Sequence, residues 1–192
     1  QPIMRLYDYI FNSGERIIAV DPAFASIESQ DKQTVTGFWF FDSAESEPQL
    51  PAGGNLVYVA SLHNSQFEHD VATGLISAGF EAILWDRAEL ENVPLSSVLH
   101  RMTCVVHSGA PYVSATAARF GVPQIVLPFL VDEMFWAERI SELQIGKIIQ
   151  ERAVTAVVDA VKSASADDKI REHAKQLAQK IQSRNGLAEA AD

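Results

Sequence analysis

The chain has 192 residues, enough for one domain with a full core; 47% are hydrophobic and the mean hydropathy is +0.02, the balance of a soluble globular protein. Asp plus Glu number 25 against 15 Lys plus Arg, and the formal charge of −10 argues against nonspecific binding to nucleic acid or to an anionic membrane. No run reaches the roughly 18 apolar residues of a membrane-spanning helix. The lone Cys104 has no partner for an internal disulfide and is expected to be a reduced core residue. The chain starts at Gln1 without an initiator Met or a signal-peptide pattern, so it reads as a fragment or processed product of a cytoplasmic protein.

In chain order, Pro2 to Phe11 reads as a short helix or irregular lead-in. Arg16 to Val20 is a strand ended by Asp21-Pro22, Ala23 to Thr34 is a polar loop, and Val35 to Phe41 again has strand composition. Asp42 to Gly54, rich in Ser, Glu, Pro and Gly, reads as a linker. The expected division is therefore an opening segment with an interdomain linker over residues 1–54 and an α/β domain over residues 55–192.

Past the linker, strands and helices alternate. Leu56 to Ser61 is a buried parallel strand by composition, and Ser65 with Glu68 has the spacing of a capping box. Phe67, Val71, Leu75 and Ile76 share a helical face that Gly79 can end. Glu81 to Trp85 is the next strand, and Ser96 to His100 is one helical turn. Asp132 can cap a helix to about Leu143 with Phe135, Trp136, Ile140 and Leu143 inward. Gly146 to Gln150 is a last strand. Val154, Val157, Val158 and Val161 mark one more helix, and Asp168 to Ser183 another, striped by Ile170, Ala174, Leu177, Ala178 and Ile181 and ended by Asn185-Gly186. This alternation predicts a Rossmann-like three-layer α/β/α fold with a mainly parallel sheet.

The segment Val93 to Glu133 organises the rest. Thr103 to His107 is an apolar strand, Ser108-Gly109-Ala110-Pro111 is a turn, and a helix can start at Pro111, which has no N–H to lose there. Gly121-Val122-Pro123 stops it, and Gln124 to Pro128 is the following strand. Such a unit places a helix N-terminus at the carboxyl end of a strand, where open α/β sheets bind ligands and where anions are favoured.

Several short motifs here sit at the spacing of a known family. They are Val93-Pro94, Val105-Val106-His107, Gly121-Val122-Pro123-Gln124, Pro128-Phe129, Asp132 and Phe135-Trp136-Ala137. They resemble the C-terminal, nucleotide-sugar-binding domain of family 1 glycosyltransferases with the GT-B fold, above all sterol glucosyltransferases and actinobacterial antibiotic glycosyltransferases. Val35 to Phe40 and Gly186 extend the resemblance over roughly residues 35 to 190. It implies inverting transfer of a sugar from a nucleotide diphosphate donor to a lipophilic hydroxyl acceptor, a sterol or natural product. No cofactor and no metal are implied, since the nucleotide sugar is substrate. The donor site would comprise Ser61, His107, Ser108, Gly109, Ala110, Ser114, Asp132 and Glu133. No catalytic residue lies in this half: the family's base is a His near the start of an N-terminal acceptor domain, here a missing domain or partner chain. Membrane contact is expected only through the acceptor.

The departures are equally specific. Ser108 stands where the family has a second His on the pyrophosphate, and Ala110, Pro111, Tyr112 and Val113 replace Gly, Ala, Gly and Thr. Pro111 removes an amide donor and Glu133 replaces a Gln. Whether the complete protein is an enzyme therefore stays open; a degenerate, non-catalytic partner or structural module is the alternative, a sugar-nucleotide epimerase on the same fold is another, and the isolated domain is expected to be inactive. Each site residue also has a plain reading: His107 as a core histidine, Asp132 as a helix cap, Glu133 as a first-turn carboxylate, Ser61 as a turn serine. His63, His69, His100 and His173 show no metal spacing and read as surface or cap residues, and Asp167-Asp168 as a solvated pair.

Overall fold

The computed structural model describes residues 16–27, 33–40, 50–86 and 93–191. Five parallel strands form the main sheet: β3 (Leu56–Val59), β4 (Glu81–Leu84), β5 (Cys104–His107), β6 (Gln124–Val126) and β7 (Gly146–Ile148), in the spatial order β4-β3-β5-β6-β7. Two earlier strands, β1 (Arg16–Ala19) and β2 (Gln33–Thr36), pair in parallel as a separate ribbon. The helices are α1 (Ser65–Ser77), α2 (Leu95–Leu99), α3 (Pro111–Phe120), α4 (Val131–Glu142), α5 (Val154–Ala166), α6 (Asp168–Gln182) and α7 (Gly186–Ala191).

The period of two along each strand sorts the core into layers. Val57, Val59, Cys104, Val106 and Ile125 face one way and pack on Val71 and Leu75 of α1 and Val157, Val158 and Val161 of α5. Leu56, Tyr58, Ile83 and Val105 face the other way, under Val98 and Leu99 of α2 and Ala117 of α3. Further along that second face, Val126 meets Ala115 and Ala118 of α3 and Ala137 and Ile140 of α4, with Ala174, Leu177 and Ile181 of α6 packed outside. The result is the expected Rossmann-like α/β sandwich. Cys104 is fully buried and burial pushes its thiol up to about 12, as suits an unreactive core residue.

Residues of the opening segment join the same core. Phe24 and Phe38 pack edge-on at 5.6 Å, and both lie against Trp136 of α4, at 5.3 and 6.1 Å between ring centres. Arg139 of α4 donates from both Nε and Nη2 to the Phe24 carbonyl. At the other end, Gly37 and Gly186 cross so closely that a Cβ on Gly186 would lie 2.1 Å from the Gly37 carbonyl oxygen. Glu189 of α7 accepts from the Gly37 amide at 3.0 Å, and Arg184 pairs with Glu189.

The observed elements are shorter than the sequence suggests. The strands end at Val59, Leu84, Val126 and Ile148, with one further backbone hydrogen bond each from the amides of Ala60, Trp85, Leu127 and Ile149. β2 begins at Gln33 and is unpaired from Gly37 onward. Expectations over residues 2–11 and most of 42–54 lie outside the described residues. The N-cap of α1 is Asn64, whose Oδ1 accepts from Phe67 N at 2.9 Å, so Ser65 and Glu68 form no capping box. Asp167 caps α6 by accepting from the Lys169 amide at 2.9 Å. Ile76 and Phe135 are 60% and 46% exposed, correcting their inward placement: the buried stripes run through Val71 and Leu75, and through Trp136, Ala137 and Ile140. Asn185-Gly186 leads into the short α7 as well as out of α6. Among the described residues no helix is long and apolar enough to cross a membrane.

Candidate functional site

The strand order places the direction reversal between β3 and β5, since one chain path runs from β3 outward to β4 and the other from β5 outward to β6 and β7. A crevice at the carboxyl ends of the strands belongs at that reversal. Ala60 to Asn64 leave β3 there, and Ser108 to Ala110 leave β5.

The turn after β5 is pinned from below. His107 is fully buried; its Nδ1 accepts from the Gly109 amide at 3.1 Å, so Nε2 carries the proton and donates to Gln124 Oε1 at 2.9 Å. Gln124 Nε2 in turn donates to the Ser114 carbonyl at 3.3 Å. Burial pushes the His107 pKa down to about 4, against the weaker pull of the Gln124 hydrogen bond and the Glu133 charge. His107 is thus neutral at pH 7 and fixes the turn from beneath. Gly109 has φ +106°, and a Cβ there would lie 2.7 Å from the Glu133 carbonyl oxygen; both backbone freedom and the close approach require glycine. Ala110 is the N-cap of α3 and Pro111 its first residue. Ser114 is buried and donates from Oγ to the Ala110 carbonyl at 3.0 Å. Helical geometry leaves the amides of Tyr112 and Val113 pointing out of the helix end, with none from Pro111.

The α4 end of the crevice is built around Glu133. The N-cap of α4 is Leu130, whose side chain has no oxygen to offer. Glu133, at the third helical position, makes the reciprocal half of a capping box: its Oε2 takes the amides of Phe129 and Leu130 at 2.9 and 2.8 Å. Its Oε1 takes His63 Nε2 at 2.7 Å, and the Ser108 hydroxyl also donates to the carboxylate. Burial opposes ionisation of Glu133, but the bonds from Ser108, His63, Leu130 and Phe129 outweigh it and hold the carboxyl at about 2. Asp132 is therefore no cap; it sits exposed in the first turn, beside Glu133.

His63 is exposed, as the sequence reading has it, yet its ring reaches Glu133 across the crevice mouth. It adopts a left-handed φ of 61°, and its conformation is set from behind by Glu68. That buried carboxylate accepts from the Leu62 amide at 2.6 Å, the Asn64 amide at 3.4 Å and the Trp85 indole at 2.9 Å. Arg152 donates to the Leu62 carbonyl and lies over the Phe67 and Phe129 rings. The only sequence signal for His63 is its place just after a strand; its partner is 70 positions away.

Of the eight candidate residues, Ser108, Gly109, Ala110 and Glu133 come together at the mouth. Ser61 is exposed on the rim, where its hydroxyl accepts from the His63 amide at 3.4 Å. Asp132 stands on the α4 side of the mouth, while His107 and Ser114 are buried beneath and behind it. Among the described residues no group of three His, Cys, Asp or Glu side chains could hold a metal ion.

Residues 86–192, more than half of the chain, match the family described as erythromycin biosynthesis protein CIII-like, C-terminal domain. The chain belongs to that family. The CIII-like domain is also similar to the sterol 3-beta-glucosyltransferase of Komagataella phaffii, 28% identical over 193 residues that cover 81% of this chain and 16% of the relative. Among solved structures it resembles the glycotransferase of kitacinnamycin, with a TM-score of 0.79 and 21% identity over 96% of this chain and 55% of that one. It also resembles the spinosyn rhamnosyltransferase SpnG complexed with thymidine diphosphate, with a TM-score of 0.72 and 18% identity over 91% of this chain and 55% of that one. The CIII-like domain thus has the GT-B half-fold of these glycosyltransferases. It spans about half the length of the solved structures and about a sixth of the sterol enzyme.

Proposed function

We propose that this domain holds the diphosphate of a nucleotide-sugar donor at the turn Ser108–Ser114, with Asp132 on the sugar. The complete protein then transfers that sugar, with inversion, to a lipophilic hydroxyl acceptor such as a sterol or natural product. The observation that carries the reading is the meeting of Ser108, Gly109, Glu133 and the start of α3 at the point where the strand order reverses. The thymidine diphosphate complex of one neighbour and the sterol substrate in one relative's name support the donor and acceptor classes. The reading calls for no metal and places the protein in the cytoplasm.

The general base of an inverting transfer must come within about 2.6–3.2 Å of the acceptor hydroxyl, directly or through one water. By the glycosyltransferase resemblance that base is a His of the N-terminal acceptor domain, supplied by a further domain or a partner chain; His63 of this chain is engaged with Glu133. Saturation-transfer NMR with millimolar UDP-glucose and dTDP-glucose tests the donor role: the expected signal is present in the wild type and falls in Asp132→Ala, and its absence for every nucleotide sugar sinks the reading.

A second reading, a non-catalytic partner or structural module, has its own observation. Pro111 offers no amide, the Tyr112 ring stands half-exposed at the helix start, and Glu133 brings a negative charge to the mouth. Supplying an N-terminal domain in trans separates the two: glycoside formation supports the enzyme, and donor binding without transfer supports the partner.

A further inference from the structure

A carboxylate offers about four acceptor positions, and those of Glu133 are all taken. Four donors converge on it from three separate loops: the Ser108 hydroxyl after β5, His63 Nε2 after β3, and the amides of Phe129 and Leu130 before α4. A carboxylate has no proton to give, so His63 Nε2 must be the donor in that contact. The Glu133 side chain is only about 4% exposed, although it belongs to a crevice residue. Donors that converge on one point at the mouth of an α/β crevice form a receptor for a phosphoryl or carboxylate oxygen. Here the chain fills that receptor with its own anion.

The anchoring is deliberate in the physical sense that it is supported from behind. Glu68 fixes the Leu62–Asn64 backbone and so aims the His63 ring, while Gly109 lets the β5 turn close onto the backbone of Glu133 itself. The carboxylate is not a loose surface group that a ligand would brush aside without loss.

We infer that Glu133 is a built-in occupant of the crevice's anion position, a specificity-determining side chain that a nucleoside diphosphate must displace or sit beside. The inference rests on the donor reading given above and deepens it. An ionised carboxylate next to a diphosphate repels it, and displacing the carboxylate sacrifices four charge-assisted hydrogen bonds. Donor affinity is therefore low in the wild type, in the millimolar range, and Glu133 rather than the altered α3 turn sets most of the loss. Gln at this position has nearly the same shape, still accepts the Phe129 and Leu130 amides through its carbonyl oxygen, and carries no charge.

The test is calorimetry of UDP, dTDP and inorganic pyrophosphate on the wild type and Glu133→Gln, with thermal unfolding to confirm that both are folded. The variant is expected to gain about tenfold or more in affinity for the two nucleotides, the factor that ~1.4 kcal/mol of relieved repulsion gives. A gain for pyrophosphate alone, with none for the nucleotides, overturns a nucleotide-specific role. Micromolar binding by the wild type, or weak binding that the variant does not improve, overturns the inference and leaves the donor reading standing. No nucleotide binding by either protein overturns both. If the variant folds poorly, the wild type carries the test by 15N NMR at millimolar UDP. Displacement of Glu133 shifts the Phe129 and Leu130 amides together with the His63 ring, whereas shifts confined to Tyr112 and Val113 overturn the inference.

Discussion

Acidification should weaken this fold through a single imidazole. His107 titrates at about 4 in the folded chain against an ordinary value of 6.5. The folded state therefore binds fewer protons than the unfolded state across that interval, and stability falls as pH drops from 6.5 towards 4. At pH 5 the unfolded imidazole is almost fully protonated and the folded one about one-tenth protonated. The gap corresponds to about 1.5 pH units of differential protonation, or ~2 kcal/mol lost relative to pH 8. His107→Gln removes the titration but retains a donor for Gln124. It should cost about 1–3 kcal/mol at pH 8, because the buried Gly109 amide loses its acceptor, yet its stability should fall about 2 kcal/mol less between pH 8 and pH 5 than that of the wild type. Urea unfolding of both proteins at the two pH values measures this difference. Equal pH dependence in the two, or a His107 ring that titrates near 6.5 by NMR, refutes the reasoning. Glu133 acts in a lower window: its folded value of about 2 lies below the ordinary 4.5, so the stability it contributes is complete above 4.5 and drains away as pH falls towards 2.

Other perturbations separate the support of the crevice from its surface. Glu68→Ala leaves the Leu62 amide and the Trp85 indole without their acceptor; it should cost about 2–3 kcal/mol, read by thermal unfolding, and alter Trp fluorescence. Gly109→Ala combines a strained positive φ with a clash against the Glu133 carbonyl, and should destabilise the domain by roughly 2 kcal/mol or more in urea titrations. Gly146→Ala would set its methyl 2.0 Å from the Gln124 carbonyl oxygen; a loss of about 3 kcal/mol is expected, with the β6 and β7 amides exchanging faster in deuterium. Asp132→Ala, by contrast, touches only an exposed first-turn charge, so its stability should change by under about 1 kcal/mol while nucleotide-sugar binding drops.

The layered fold was legible because its signals are local. Ile170, Ala174, Leu177, Ala178 and Ile181 recur at helical spacing and are all buried, and Gly121 ends α3 with the positive φ that a left-handed cap requires. The start of α4 was not legible, since Asp132 has the side chain of a cap but Leu130 holds the position, with Glu133 reaching back to serve it. A local rule assigns the acceptor to the nearest suitable residue and cannot see which one the backbone presents. The site was half legible for a related reason. The family spacing marked Ser108 and Glu133, which lie in one motif region, but His63 joins them only because β3 sits beside β5 in the sheet. Adjacency of strands distant in sequence is set by the packing of both faces, and no spacing within the chain announces it.

The crossing of Gly37 and Gly186 has a mechanical consequence. Fraying is ordinarily confined to the last turns of a chain, where a helix end can come and go without disturbing anything else. Here the Glu189 bond to the Gly37 amide spans 152 positions, and the two glycine backbones are in contact. α7 cannot peel away without releasing the segment that carries Phe38 into the aromatic cluster with Phe24 and Trp136. Tension applied to the C-terminal tail would thus load the opening segment directly, by a route that bypasses the five-stranded sheet, and the two would come loose as one unit.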